Sequence, residues 1–236
     1  MKSTVKKSEQ IRLPEFYDQV LAVRKPAGWS SFDVVKKVRN LTGIRKIGHA
    51  GTLDPFATGV LLLCTGPSTK KMQDLLRYPK EYVAEIQLGS ETDTMDLTGQ
   101  VIRECDVPPR RPEEIRQILK RHIGELEQEI PAFSAKKSGG VRLYRLARQG
   151  KTVPVLFKKV VVYRLELLSA ESNSLRLCVE CGSGTYIRTL ARDIARGMGT
   201  CGHVASLVRT RIGPYALKNC ISIKDIEEKA ALAKVC

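Results

Sequence analysis

Apolar residues recur along the chain with two periods, and these assign most of its elements. From Glu81 to Leu88 the alternation is strict. Tyr82, Ala84, Ile86 and Leu88 share one face, with Glu85 and Gln87 on the other, as in a half-buried strand. Leu175, Leu177, Val179 and Cys181 repeat the pattern. Val20–Val23, Val60–Cys64, Val160–Leu168 and Val204–Ile212 read as further strands, and Gln100–Glu104 as a more polar one. Helical spacing appears behind Ser30 or Ser31, where Val34, Val35, Val38 and Leu41 form one face and Gly43 supplies the stop. Ser68 predicts a short helix through Leu76. Pro112 begins one through about His122, Thr185 caps one through about Arg196, and Ser222 caps Ile223–Lys234. Strands follow strands with helices interspersed and no regular βαβ alternation. The expected fold class is therefore α+β, a mixed, largely antiparallel sheet flanked by helices.

Two stretches break the pattern. Gly48–Gly59 holds three glycines, His49, and Asp54 placed against Pro55. Glycine accepts backbone angles that other residues resist, and proline pushes the preceding residue out of the α region. The stretch reads as a constrained loop rather than a helix or regular strand. Asp54 is then either a turn former bonding its own backbone or a carboxylate held for chemistry, and the stretch alone does not choose. The second stretch, Ala135–Arg164, contains Lys136, Lys137, Arg142, Arg145, Arg148, Lys151, Lys158, Lys159 and Arg164 and no acid at all, with Gly139-Gly140 as a hinge. Solvated surfaces mix both signs, so a purely basic run calls for a polyanionic partner.

Composition sharpens that expectation. The chain has 236 residues, 40 Lys plus Arg against 25 acids, a net charge of +15 and a pI near 9.6. Nucleic acid fits better than a membrane surface, because the basic window lacks a sustained amphipathic helix with bulky apolar anchors. No apolar run approaches the roughly 20 residues of a membrane span. Met1–Gln19 reads as a flexible basic leader without a secretory core, and the expected location is cytoplasmic. Residues 20–236 read as one domain. Seven scattered cysteines point to reduced thiols rather than a disulfide framework.

Other constellations are weaker. Cys178 and Cys181 have the spacing of a metal clip but no second pair, and no metal is expected. Glu91, Asp93 and Asp96 read as a solvated turn. Arg188, Arg192 and Arg196 recur every four residues as one basic stripe, whose mutual repulsion a phosphate backbone would offset. Asp54, Tyr82 and Arg188 make chemical sense as a set. A guanidinium would keep the carboxylate ionised, and the tyrosine would offer a stacking surface for a base.

Several segments resemble, in chain order, the motifs of the TruB family of tRNA pseudouridine synthases. They are Lys25-Pro26-Ala27-Gly28-Trp29-Ser30-Ser31, Gly48–Pro55, Lys80-Glu81-Tyr82 with Leu88–Asp96, Ile130–Ala135 with Leu143-Tyr144, and Gly184–Leu190. The resemblance runs from about Val20 to about Ile226, with Ala50 standing where a threonine is common. It implies isomerisation of uridine 55 in the tRNA T loop to pseudouridine, by base flipping and without cofactor or metal. It assigns Asp54 as catalytic carboxylate, with Tyr82 and Arg188 as catalytic partners. His49, Leu207, Lys25 and Tyr186 become substrate-binding residues. The basic segment at about 130–160 becomes an RNA-binding thumb, with Lys136, Lys137, Arg142, Arg145, Arg148 and Lys151 touching the RNA. Only about ten residues follow Ile226, which implies that the usual C-terminal RNA-binding module is missing. The partner is the T stem-loop of tRNA and the expected state a monomer. The rival reading is a non-catalytic RNA chaperone.

Overall fold

The structure, a computed structural model, describes residues 13–233, so most of the basic leader lies outside the described residues. The chain forms two compact units, one built from residues before Tyr78 together with those from Pro214 on, the other from Tyr78–Gly213.

In the first unit, Val20–Lys25 (β1) leads through a turn to Ser31–Thr42 (α1). The Ser30 hydroxyl accepts from the Asp33 backbone N–H, the Asp33 carboxylate accepts from Ser30 N–H, and Gly43 adopts the left-handed conformation at φ 73°. Of the two serines the sequence offers, Ser30 is thus the cap, Asp33 makes it reciprocal, and Gly43 is the expected stop. Ile47–Ala50 (β2) follows, so the first part of the Gly48–Gly59 stretch is a strand, and only the part beyond Ala50 is the irregular loop. Thr58–Thr65 (β3) pairs antiparallel with β1 and β2, with Leu62 opposite both Ala22 and Ala50. Ser68 does not cap a helix. It lies inside a 3-10 turn, Gly66–Lys71, and its hydroxyl donates to Asp18, while the short helix Met72–Arg77 (α2) begins later.

The second unit opens with Lys80–Leu88 (β4). A hairpin of Ser90–Thr92 (β5) and Val101–Glu104 (β6) follows, then Pro112–Lys120 (α3) and Gly124–Glu129 (β7). Lys137–Ser138 (β8) and Val141–Arg142 (β9) form a small hairpin leading into Leu143–Arg148 (α4). Phe157–Ala170 (β10), Ser174–Cys181 (β11), Ile187–Gly197 (α5) and Gly202–Ile212 (β12) complete it. Within this unit the sheet runs β12-β4-β11-β10-β7, every neighbour antiparallel. The chain then returns to the first unit, where Ser222 caps Ile223–Leu232 (α6).

Each unit buries its own apolar set. Val34, Val35 and Val38 of α1 pack with Val23, Leu61, Leu63 and, from α6, Ile226 and Ala230. In the second unit Ile187, Leu190, Ala191 and Ile194 are the buried stripe of α5. The observed architecture is the α+β class expected, with all named strand pairs antiparallel. No helix among the described residues is long and apolar enough to cross a membrane.

Candidate active site

The loop carrying Asp54 is held from both sides of that residue. Just before it, the buried Leu53 donates its N–H to the Ser31 hydroxyl at 2.9 Å, which in turn donates to Leu53 O at 3.2 Å. Just after it, Pro55 O accepts from Gly28 N–H at 2.8 Å and from the Lys25 ammonium at 3.0 Å. Lys25 is fully buried and also donates to the carbonyls of Pro26 and Trp29. An ammonium has three N–H groups, and three backbone carbonyls accept from this one. Lys25 is thus a clamp on the loop, whereas the resemblance implies a substrate-binding role for it. Gly51 takes φ 94°, a left-handed angle that lets the chain leave β2, and Ala57 N–H closes a turn on Asp54 O at 3.1 Å. The Asp54 side chain is half-buried. His49, also half-buried, sits on β2 opposite Leu63.

In the second unit, Tyr82 is buried on β4, as its alternation predicted, with Arg209 of β12 and Val179 of β11 as its cross-strand neighbours. Leu207 is buried opposite Ala84. Lys80 is buried on the same face of β4, and burial, reinforced by the Arg209 guanidinium, pushes its ammonium down to about 8.

Arg188 lies in the first turn of α5 and is 4% exposed. It donates to Thr94 O at 2.7 Å and Phe133 O at 3.0 Å, and stands 3.5 Å from Asp96 Oδ2. Asp96 is itself held tightly. Its Oδ1 accepts from the Thr94 hydroxyl, the Thr98 N–H and the Thr98 hydroxyl at 2.9, 2.9 and 2.5 Å. The turn between β5 and β6 is therefore only partly solvated, with Asp93 exposed as expected. Asp96 and Glu91 are buried, and Glu91 pairs with Arg196 at 2.8 Å. Arg192 pairs with Glu129 and Asp193, both at 2.8 Å. The three-arginine stripe is thus met by carboxylates of its own chain, not left as a free phosphate-binding face. Tyr186, the N-cap residue of α5, is half-buried with its ring 5.9 Å from the Lys158 ammonium. Thr185 does not cap; its hydroxyl donates to Gly182 O.

The thumb residues behave differently. Lys136, Lys137, Arg142, Arg145, Arg148 and Lys151 are all exposed around the β8–β9 hairpin and α4, anchored by the buried Leu143. The Tyr144 phenol is lowered by Arg145 first and then Arg142, and the Arg148 guanidinium lies 5.6 Å from the Tyr144 ring centre. This is a dense positive surface with an aromatic beside it, suited to a polyanion.

One cysteine expectation changes. Cys105 and Cys201 form a disulfide, against the expectation of reduced thiols throughout. Cys178 and Cys181 stand three residues apart on β11, on opposite faces, and burial pushes both thiols up, Cys181 to about 11. Among the described residues no cluster of His, Cys, Asp or Glu has the form of a metal site. The main residue missed from the sequence is Asp96. Its signal was the threonine-aspartate spacing Thr94-x-Asp96-x-Thr98, which builds a carboxylate cradle.

Comparison with known proteins gives a consistent result. Residues 39–187 match the TruB family pseudouridylate synthase (N terminal domain), and residues 188–235 match the tRNA pseudouridylate synthase B C-terminal domain. The second match begins inside α5 and runs through α6, so residues up to 235 carry a C-terminal family segment. The chain is 40% identical over 216 residues to a tRNA pseudouridine synthase B of Phocaeicola vulgatus, covering 89% of this chain and 92% of the relative. It is 43% identical over 215 residues to one of Chelativorans sp., covering 91% of this chain and 69% of the relative. Among solved structures, the archaeal box H/ACA sRNP Nop10-Cbf5 complex is similar over 93% of this chain and 56% of that chain, with TM-score 0.67 and 27% identity. An H/ACA RNP bound to a substrate RNA containing 2'-deoxyuridine is similar over 94% of this chain and 58% of that one, with TM-score 0.68 and 26% identity.

Proposed function

The chain belongs to the TruB family of pseudouridylate synthases, isomerases that form pseudouridine in tRNA, and on that footing we propose that its target is uridine 55 of the T loop. The proposed reaction detaches the uracil from its ribose, rotates it and rejoins it through C5. The carbon-nitrogen glycosidic bond becomes a carbon-carbon one, and the C5 proton passes to the released nitrogen.

Asp54 is the proposed catalytic carboxylate. The observation that carries this is the double anchoring of its loop, with Leu53 tied to Ser31 and Pro55 to Lys25 and Gly28. A carboxylate that must meet one carbon of a flipped nucleotide needs a backbone that does not move, since a misplacement of about 1 Å costs on the order of a hundredfold in rate. Tyr82 is the proposed stacking surface and handler of the C5 proton. Arg188 is the proposed catalytic guanidinium. Leu207 packs against the target base, and His49 fills the gap that the extruded base leaves in the RNA. Tyr186 joins Leu207 in substrate binding, and the thumb grips the T stem-loop through its exposed cations. The proposed working state is a monomer in the cytoplasm.

The test is incubation with a tRNA transcript in the absence of added metal, followed by mapping of pseudouridine. Modification at position 55 is expected, with none in a transcript carrying cytidine there. Asp54→Asn should abolish modification while RNA affinity stays within a few-fold. Persistent modification by Asp54→Asn would remove Asp54 from the chemistry. RNA binding with no modification by the wild-type protein would favour the chaperone reading.

A further inference from the structure

The helix that carries Arg188 begins without a side-chain cap of its own. Tyr186 offers no cap hydrogen bond, and the Thr185 hydroxyl is spent on Gly182 O. Helix starts leave backbone N–H groups unpaired, and a helix that starts inside a fold needs partners from elsewhere. For Tyr186 N–H the partner is on β7, 58 residues earlier in the chain. Gln128 is 2% exposed. Its Oε1 accepts from Tyr186 N–H at 2.8 Å and its Nε2 donates to Tyr186 O at 3.0 Å. One side-chain amide thus bonds both backbone groups of the residue at the helix start, as a neighbouring strand would, and Tyr186 O accepts from Leu190 N–H at 3.1 Å as well.

The adjacent residue extends the grip. Glu129 O accepts from the Thr189 hydroxyl at 3.1 Å, and the Glu129 carboxylate meets Arg192 at 2.8 Å. Arg188 lies between Tyr186 and Thr189. Its guanidinium is held at the far end by Thr94 O, Phe133 O and Asp96. A side chain fixed at both its root and its tip has one direction available.

We propose that Gln128 is a positioning residue for pseudouridine formation: its buried amide fixes the start of α5 and thereby the placement of the Arg188 guanidinium. The proposal rests on the role given to Arg188 above. Gln128 touches no reacting atom and acts through the helix start. Removing the amide takes the Gln128 acceptor from Tyr186 N–H and leaves the helical bond from Leu190 N–H to Tyr186 O, so at the half-buried Tyr186 the first turn of α5 is free to shift or fray. That turn holds Arg188.

The test is a double-mutant cycle on the single-turnover rate, with tRNA affinity measured alongside. Gln128→Leu should lower the rate by about 10- to 100-fold with the dissociation constant for tRNA within about threefold of wild type. In an Arg188→Lys background the same substitution should change the rate by less than about threefold, because the placement it disturbs is already lost. Gln128→Asn, one methylene short of spanning the gap, should match Gln128→Leu and serves if the leucine variant fails to fold. A rate loss of equal size in both backgrounds, a loss confined to affinity, or no loss would overturn the proposal. Failure of the underlying reading looks different: Arg188→Lys alone would then leave the rate unchanged.

Discussion

Asp96→Asn is the most exacting test of how Arg188 is held. The two side chains are 5% and 6% exposed and 3.5 Å apart. At an effective dielectric near 20, unit charges at that distance attract by about 5 kcal/mol before desolvation is counted. Removing one partner of a buried pair costs about 3–5 kcal/mol, because the remaining charge stays out of water. Arg188 keeps its bonds to Thr94 O and Phe133 O. An asparagine oxygen can still accept from Thr94 and Thr98 as Asp96 Oδ1 does. The expected loss therefore lies at the low end, about 3 kcal/mol. Urea unfolding followed by far-ultraviolet circular dichroism should show the midpoint falling by roughly 1–2 M, with an unchanged slope. Salt should alter the loss little, since buried pairs are weakly screened. The Asp96→Asn, Arg188→Met double variant should lose less than the sum of the singles. A single-variant loss under about 1 kcal/mol, or strict additivity in the double, would refute the pairing.

Two further outcomes follow from the same structure. Lys80 has an ordinary value of 10.5 and is held at about 8 in the fold, so between those values the unfolded chain binds more protons and wild-type stability should rise with pH. The unfolding free energy of the wild type measured against Lys80→Met should gain up to about 3 kcal/mol from about pH 7.5 to 10.5, and a flat difference would contradict the burial argument. Replacing Lys137, Arg142 and Arg145 together by serine should weaken tRNA binding and reduce its salt slope by about one for each phosphate no longer neutralised, while stability stays within about 0.5 kcal/mol per exposed site. An unchanged slope would take the thumb out of the interface.

Elements whose signal is local were legible in the sequence. β1, α1, β4, β11, β12 and α6 follow from alternation, from Ser30 and Ser222 as caps, and from Gly43 as a stop. β7 was not legible. Its residues Gly124–Glu129 are mostly acidic or amide, and they sit in the sheet by antiparallel pairing with Phe157–Val162 of β10, with Glu127 opposite Lys159. Strand pairing of that kind depends on register, which no local pattern reports. The arginine stripe of α5 was visible as a stripe, but its neutralisation was not, because Glu91 and Glu129 lie 105 and 63 positions along the chain from Arg196 and Arg192, their respective partners. Glu91 and Asp96 looked like solvated turn residues for the same reason. Lys25 was legible as important, but its three carbonyl partners, which make it a clamp, appear only once the loop is folded.

The Cys105–Cys201 disulfide encloses the thumb, since Gly139 and Gly140 lie between the two cysteines in the chain. Those glycines are exposed and take left-handed angles of 56° and 81°, the kind of hairpin tip that proteases reach. A cut there would not release a fragment. The two pieces would stay joined by one covalent bond and by the pairing of β7 with β10, migrating as a single species until a reductant separated them. Damage to the RNA-gripping arm would then be silent in any assay of size made under oxidising conditions.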